Sequence, residues 1–326
     1  LKIRRRAFSR FVAMALAAAA AGAVHAQTWP NKAVHFVVPL APGGAVDVLA
    51  RQIAQRMSAT WGQPFVVDNR GGAGTVIGTD YAAKAPADGY TFLFVISSHL
   101  ANPSLYASLP YDTAKAFAPV SLLVTGPLVV VVNQSLPVAT LPELIAYSKT
   151  HPGTVNYATG STADVGHLTG ERLQIATGAS LTHVPYKGAT AALNDLLGGT
   201  INMMINTPSA LLPFIRSGKL KALAVTSAAR SDALPGVPSI AETTGDRSFD
   251  MSTFYGLLAP AGTPQTIIDK VSAEAGAIVR SPEVSASLLA QGFKPVGSTP
   301  KELGTYIDDG LKQSAVIVKR AGIKAE

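Results

Sequence analysis

The sequence predicts an α/β protein of two Rossmann-like lobes joined by two crossings. Three observations carry that reading. Short apolar runs alternate with amphipathic segments over 34–96, a second alternating series runs over 155–226, and the segments from 253 onward return to the first series. A chain of 326 residues, 48% hydrophobic and 14% charged, has material for two cores. The expected first lobe is residues 27–125 together with 227–326, and the second is 126–226. Two crossings between lobes imply a hinge and a cleft.

In the first lobe a strand over 34–39 leads into a helix whose Val46, Leu49, Ala50, Ile53, Ala54 and Met57 share one face at helical spacing. A strand over 65–68, a helix over 74–85 and a strand over 91–96 complete the βαβαβ order of a parallel sheet. Strands this continuously apolar fit a sheet covered on both faces. Apolar runs at 119–124 and 128–132 precede a helix over 141–150. The second series is strand 155–158, helix 166–176, strand 181–184, helix 190–197, strand 201–205, helix 209–217 and strand 220–226. A strand over 253–259 and helices over 264–279, 282–291 and 300–321 close the chain.

The first 26 residues carry Lys2, Arg4, Arg5, Arg6 and Arg10, an apolar run over 11–23 and the small-residue ending Val24-His25-Ala26. This is the pattern of a cleavable secretory signal. Its apolar run of about thirteen residues is short of the roughly 20 a spanning helix needs. Arg5-Arg6-Ala7-Phe8-Ser9-Arg10 also fits a twin-arginine motif, so both export routes stay open. Without those five basic residues the formal charge falls from +7 to +2, which with no Lys/Arg cluster elsewhere excludes a nucleic-acid footprint. There is no Cys for a disulfide, a thiolate metal site or a lipid anchor, and a soluble periplasmic protein is expected.

The site reading starts at the corner Pro42-Gly43-Gly44-Ala45, which turns the first strand into a helix bearing Asp47. Helix-starting N–H groups lack intrahelical partners, and with the positive end of the helix dipole they favour a carboxylate or phosphate. The second series repeats the device. Its first strand runs into Thr159-Gly160-Ser161-Thr162-Ala163-Asp164 and a helix carrying His167. Both loops leave the C-terminal end of a lobe's first strand, where ligands sit in doubly wound sheets. Candidate ligand residues are therefore Pro42, Gly43, Gly44, Ala45, Asp47, Gly160, Ser161, Thr162, Asp164 and His167. Ser97, Ser98, Lys187 and Asn206, at later strand ends, join them. Simpler roles compete: turn glycines, helix caps at Ser97, Ser98 and Asn206, a capping bond at His167, and a solvated loop lysine at Lys187.

Gly72-Ala73-Gly74-Thr75-Val76-Ile77-Gly78 has the spacing GxGxxxG after the second strand, not GxGxxG after the first. A tight turn accounts for it better than a dinucleotide site, and Asp88 sits in an Asp-Gly turn and not at a strand end. There is no GxSxG, no HExxH and no run of His and carboxylates at ligand spacing. The chain is expected to be a binding protein with no catalytic residues, no cofactor and no metal; a nucleotide-dependent enzyme is the alternative.

These residues resemble the Bug family, the TctC-like receptors of tripartite tricarboxylate transporters, over essentially everything after residue 26. The likeness rests on Trp29-Pro30-Asn31-Lys32, on 38–44 with Asp47, on Val67-Asp68-Asn69-Arg70-Gly71-Gly72-Ala73-Gly74, and on Ala87-Asp88-Gly89-Tyr90-Thr91. His183-Val184-Pro185-Tyr186-Lys187-Gly188 and the segments 195–199, 218–226 and 255–264 extend it. The resemblance implies the type II periplasmic-binding-protein architecture and a monomer that closes on a small carboxylate: a di- or tricarboxylate, an amino acid or an aromatic acid. It also implies transfer to membrane permease subunits, or presentation to a sensor kinase. Two departures bear on specificity. The family's Gly-x-Gly-Ser/Thr sequence is Ser161-Thr162-Ala163-Asp164 here, and a frequent Asp after the second lobe's third strand is Asn206.

Overall fold

The computed structural model describes residues 29–160, 164–186 and 189–323. The expected signal over 1–26 lies outside them, as do Ser161, Thr162 and Lys187. The strands are β1 (Val34–Val38), β2 (Phe65–Asn69), β3 (Thr91–Val95), β4 (Phe117–Gly126), β5 (Val129–Asn133), β6 (Asn156–Thr159), β7 (Thr182–Pro185), β8 (Met203–Asn206), β9 (Leu220–Val225), β10 (Thr253–Pro260) and β11 (Lys294–Pro295). The helices are α1 (Ala45–Trp61), α2 (Val76–Ala83), α3 (Ser98–Leu105), α4 (Leu141–Thr150), α5 (Val165–Thr177), α6 (Ala189–Gly198), α7 (Pro208–Arg216), α8 (Ile240–Thr244), α9 (Gln265–Arg280), α10 (Pro282–Ala290) and α11 (Pro300–Ala321).

Two sheets form the frame, in the orders β11-β4-β10-β3-β1-β2 and β7-β6-β8-β5-β9. In the first, β2, β1 and β3 are parallel, while β10 runs antiparallel to both β3 and β4. In the second, β7, β6 and β8 are parallel and β5 runs antiparallel to β8 and β9. The reversed strand of each sheet, β10 or β5, is the one arriving from the other lobe. This is the expected two-lobed α/β architecture.

Local chemistry sets the helix ends. α4 and α11 open with full capping boxes, Thr140 with Glu143 and Thr299 with Glu302, each with a Pro in the first turn. α1 stops at Gly62, whose φ of 66° is the left-handed conformation that ends a helix. Its buried Leu49, Ile53 and Met57 pack with Val34, Phe36 and Val38 of β1. Phe36 stands edge-on to Phe65 and Phe94 at 5.3 and 5.4 Å between ring centroids. Each such side chain contributes about 1.5–3 kcal/mol of burial.

α8 and β11 were not read from the sequence, and two further departures lie at the site. α3 was not foreseen, because Pro103 inside it removes an N–H that would bond the His99 carbonyl and reads as a breaker. The helix over 74–85 divides into a 3-10 turn, Ala73–Thr75, and α2, because Thr75 takes a φ of 82°. Packing also binds the lobes together. Along α11, Leu303 and Ile307 join Phe254 and Leu258 of the first lobe, whereas Ile317 and Val318 join Leu168 and Leu173 of α5. Ile240, Ala241, Phe249 and Met251 pack into that same second-lobe cluster, because a bridge from Val225 to Ser239 keeps the returning chain against β9. No helix among the described residues is long and apolar enough to cross a membrane.

Candidate functional site

A cavity of about 1070 Å³ lies between the lobes, at the C-terminal ends of β1, β2, β3 and β6. Its first wall is the corner between β1 and α1. The first helical bond runs from Val48 N–H to the Gly44 carbonyl at 3.0 Å, so the N–H groups of Ala45, Val46 and Asp47 carry no backbone acceptor. Gly44 caps the helix without a side-chain bond. Gly43 has a φ of 91°, open to glycine at no steric cost.

Asp47 organises this corner from inside. Its Oδ2 accepts the Gly43 N–H at 2.9 Å and Arg51 Nε at 3.0 Å, and its Oδ1 accepts Asn69 Nδ2 at 2.9 Å. Arg51 also donates to Asn69 Oδ1 at 2.9 Å. Burial pushes the Asp47 carboxyl up, but the bonds from Arg51, Gly43 and Asn69 outweigh it and leave the group below the ordinary carboxylate value. Asn69 reaches Asp47 because β1 and β2 are in register, with Val38 opposite Asn69.

In the second lobe, Asp164 caps α5 and accepts the His167 N–H at 2.9 Å, so its carboxylate serves the helix start. One residue into the helix, Gly166 passes so close to β8 that an added Cβ would lie 2.6 Å from the Ile205 carbonyl oxygen. His167 is buried and stacks on His183 with ring centroids 3.6 Å apart. His183 Nε2 lies 2.7 Å from Thr159 Oγ1. Burial holds His167 down at about 4, and burial with the neighbouring His167 does the same for His183. Both imidazoles are therefore neutral at neutral pH and buttress the second loop.

A third wall is the turn after β2. Ala73, Gly74 and Thr75 are consecutively left-handed, with φ of 45°, 58° and 82°. A β-branched residue there is strained, and strain of this kind gathers at ligand clamps. α3 holds the turn. Tyr106 Oη donates to the Ala73 carbonyl at 3.1 Å, Asn102 Nδ2 donates to the Gly74 carbonyl at 3.0 Å, and Thr75 Oγ1 lies 3.0 Å from Ser98 Oγ.

Of the residues singled out in the sequence, Pro42, Gly44, Ala45, Asp47, Ser97, Ser98, Gly160 and Asp164 line the cavity. Gly43, His167 and Asn206 are not among its lining. Gly43 turns its N–H to Asp47, His167 packs behind the loop, and the Asn206 Oδ1 accepts the Thr207 N–H at 2.7 Å where α7 begins. Ser161, Thr162 and Lys187 lie outside the described residues. The lining also holds Asn69 and, beyond what the sequence reading placed there, residues 71–75, Asn102, Tyr106, Tyr186, Thr253 and Tyr255. The glycine-rich turn was visible as a signal, but its place beside the first corner comes from the parallel pairing of β1 and β2. Asn102 and Tyr106 carried no signal, since α3 itself was unforeseen.

Residues 49–323 match the family described as "Tripartite tricarboxylate transporter family receptor". Protein BugT of Bordetella pertussis (strain Tohama I) is 40% identical over 306 residues, which cover 93% of this chain and 94% of that protein. A solved structure titled as a periplasmic transporter shares 38% identity and a TM-score of 0.80, covering 91% of this chain and 100% of its own. R. palustris Rpa4515, solved with adipate, shares 35% identity and a TM-score of 0.81, covering 91% and 99%. With its sequence matched over most of its length and its two-lobed fold shared with solved periplasmic receptors, this chain belongs to the tripartite tricarboxylate transporter receptor family, whose members are periplasmic solute-binding receptors and not enzymes.

Proposed function

We propose that this chain is exported to the periplasm, captures a small carboxylate between its lobes and delivers it to the permease subunits of a tripartite tricarboxylate transporter. The single observation that carries the reading is the row of N–H groups at Ala45, Val46 and Asp47 with no acceptor among the described residues, on the wall of a cavity that α5 also enters at Asp164 and Val165. A carboxylate held there satisfies backbone donors and meets the positive ends of two helices. The relative from R. palustris solved with adipate supports the ligand class. The lobes that close are residues 27–125 with 227–326 and residues 126–226, with the returning segment at 240–251 packed on the second lobe, and the receptor works as a monomer. Ligand contacts come from Pro42, Gly44, Ala45, Ser97, Ser98 and Gly160, with Asp47, Asp164 and His167 fixing the loops that present them. Calorimetry of the purified protein against di- and tricarboxylates, amino acids and aromatic acids tests this; heat and a thermal shift from at least one is the expected result, and silence from all of them refutes it.

A further inference from the structure

Thr226 stands where the two crossings between the lobes meet. On the first-lobe side the crossings are direct neighbours: Gly126, the last residue of β4, lies opposite Thr253, the first of β10. On the second-lobe side Leu128 and Met251 are bonded to Thr226 instead. The Thr226 N–H donates to the Leu128 carbonyl at 3.0 Å, and the Leu128 N–H donates to Thr226 Oγ1 at 2.8 Å. The hydroxyl thus takes the place of the backbone carbonyl that an antiparallel ladder would offer there. That leaves the Thr226 carbonyl to accept the Met251 N–H at 2.9 Å, while Thr226 Oγ1 donates to the Met251 carbonyl at 3.0 Å. Thr226 is fully buried, and bonds shielded from water in this way are strengthened.

The returning chain stays with the second lobe up to this point. Leu234 is buried with Val129 and Leu211, and Phe249 and Met251 are buried with Leu168 and Leu173. Arg172 of α5 lies over the Phe249 ring at 4.7 Å and donates to the Ser248 carbonyl at 2.5 Å. Between the bonds of one lobe and those of the other, the outgoing crossing has only Pro127 and the returning one only Ser252. Pro127 has no N–H to give. Ser252 turns its N–H and its hydroxyl back to Asp250 Oδ1, at 3.0 and 2.6 Å. Among the described residues, neither makes a backbone bond to the other crossing. Element-terminal residues of this kind absorb the backbone rotation of a closing hinge. The contact of α11 with α5 beside them is apolar and non-directional, so it can slide.

We infer that Thr226 is a positioning residue for lobe closure: its hydroxyl bolts both crossings to the second lobe, so that 128–251 turns as one body about Pro127 and Ser252. The inference rests on the reading that the lobes close on a ligand, and it places 227–251 in the body that moves.

The chain has no Cys, so spin labels introduced through Gln55→Cys on α1 and Asn194→Cys on α6 report the distance between the lobes alone. The test is double electron–electron resonance on ligand-free protein that circular dichroism shows to be folded. Thr226→Val is expected to broaden the distance distribution beyond the parent's, and Thr226→Ser, which keeps the hydroxyl, to restore it. The Leu128 amide should exchange about tenfold faster in Thr226→Val, as a buried donor left unmet. A parent-like distribution in Thr226→Val, or one equally broad in Thr226→Ser, overturns the inference. Should Thr226→Val fail to fold, hydrogen exchange in the parent decides: the Leu128 and Met251 amides are expected to open with Val130 of β5 and more slowly than Ser252, and exchange as fast as that of Ser252 overturns it. The two readings fail separately, since calorimetric silence removes carboxylate capture whereas these measurements need no ligand.

Discussion

Asp47 and Arg51 sit one helical turn apart on α1, and Arg51 Nε donates to Asp47 Oδ2 at 3.0 Å. The same oxygen takes the Gly43 N–H, so the carboxylate nearest the ligand corner fixes the turn instead of repelling the ligand. The proposed anion site can keep an aspartate because three donors already face it, from Gly43, Arg51 and Asn69.

Replacing Asp47 by Ala should therefore weaken both fold and binding. It removes the acceptor of the Gly43 N–H and leaves Asn69 Nδ2 with only the Leu40 carbonyl at 3.3 Å, a loss of about 1–3 kcal/mol by the usual cost of unmet donors. Ligand affinity should fall at least tenfold as the corner loosens. Urea unfolding and calorimetry measure the two effects, and a variant that keeps full affinity would show that Asp47 does not shape the site.

Gly44→Val separates binding from folding. Gly44 has a φ of −77°, open to any residue, and a Cβ added there meets nothing within 4 Å, so the variant should fold, with a loss of about 0.5–2 kcal/mol because Val is a poor helix cap. Its side chain stands at the cavity wall and should abolish binding. Gly166→Ala is the opposite case: the Ile205 carbonyl leaves no room, and a stability loss of about 1–3 kcal/mol is expected from forced overpacking.

The contrast shows what the sequence could and could not convey. Pro-Gly-Gly between an apolar run and an amphipathic one announced a strand-to-helix corner, because that signal acts over a few residues. The division of labour between Gly43 and Gly44 was hidden, since it depends on where Asp47 and Asn69 meet. The left-handed Ala73 and Thr75 were hidden for a stronger reason: such backbone is unfavourable for those residue types, and only bonds from α3 across the fold sustain it.

His99 gives the fold an acid-sensitive point. It is fully buried, neither ring nitrogen has a hydrogen-bond partner, and burial pushes its pKa from 6.5 down to about 4. The unfolded chain thus binds the proton more readily, so the stability tied to neutral His99 is complete above pH 6.5 and is lost as pH falls toward 4. At pH 5 the loss is about 2 kcal/mol on that basis. His167 and His183 shift in the same direction and add to the trend. Melting temperatures should fall between pH 7 and pH 5, and His99→Leu should make that fall shallower; an unchanged slope would remove His99 as its source.

The left-handed turn at 73–75 should be only as firm as its clamp on α3. Asn102 serves two positions, donating to the Gly74 carbonyl at 3.0 Å and lying 3.3 Å from Thr75 Oγ1, and it is almost wholly buried. Tyr106 adds a single bond to the Ala73 carbonyl. Asn102→Ala should therefore cost more than Tyr106→Phe, about 1–3 against about 0.5–1.5 kcal/mol, because it removes a buried side chain and two bonds where Tyr106→Phe removes one. With its clamp gone the turn can relax toward the right-handed backbone that Ala and Thr prefer, moving a wall of the cavity. Amide hydrogen exchange at 72–76 should quicken in Asn102→Ala, with a parallel loss of ligand affinity and little change at α4 in the other lobe. If exchange at 72–76 stays slow while affinity drops, Asn102 acts on the ligand directly and not through the turn.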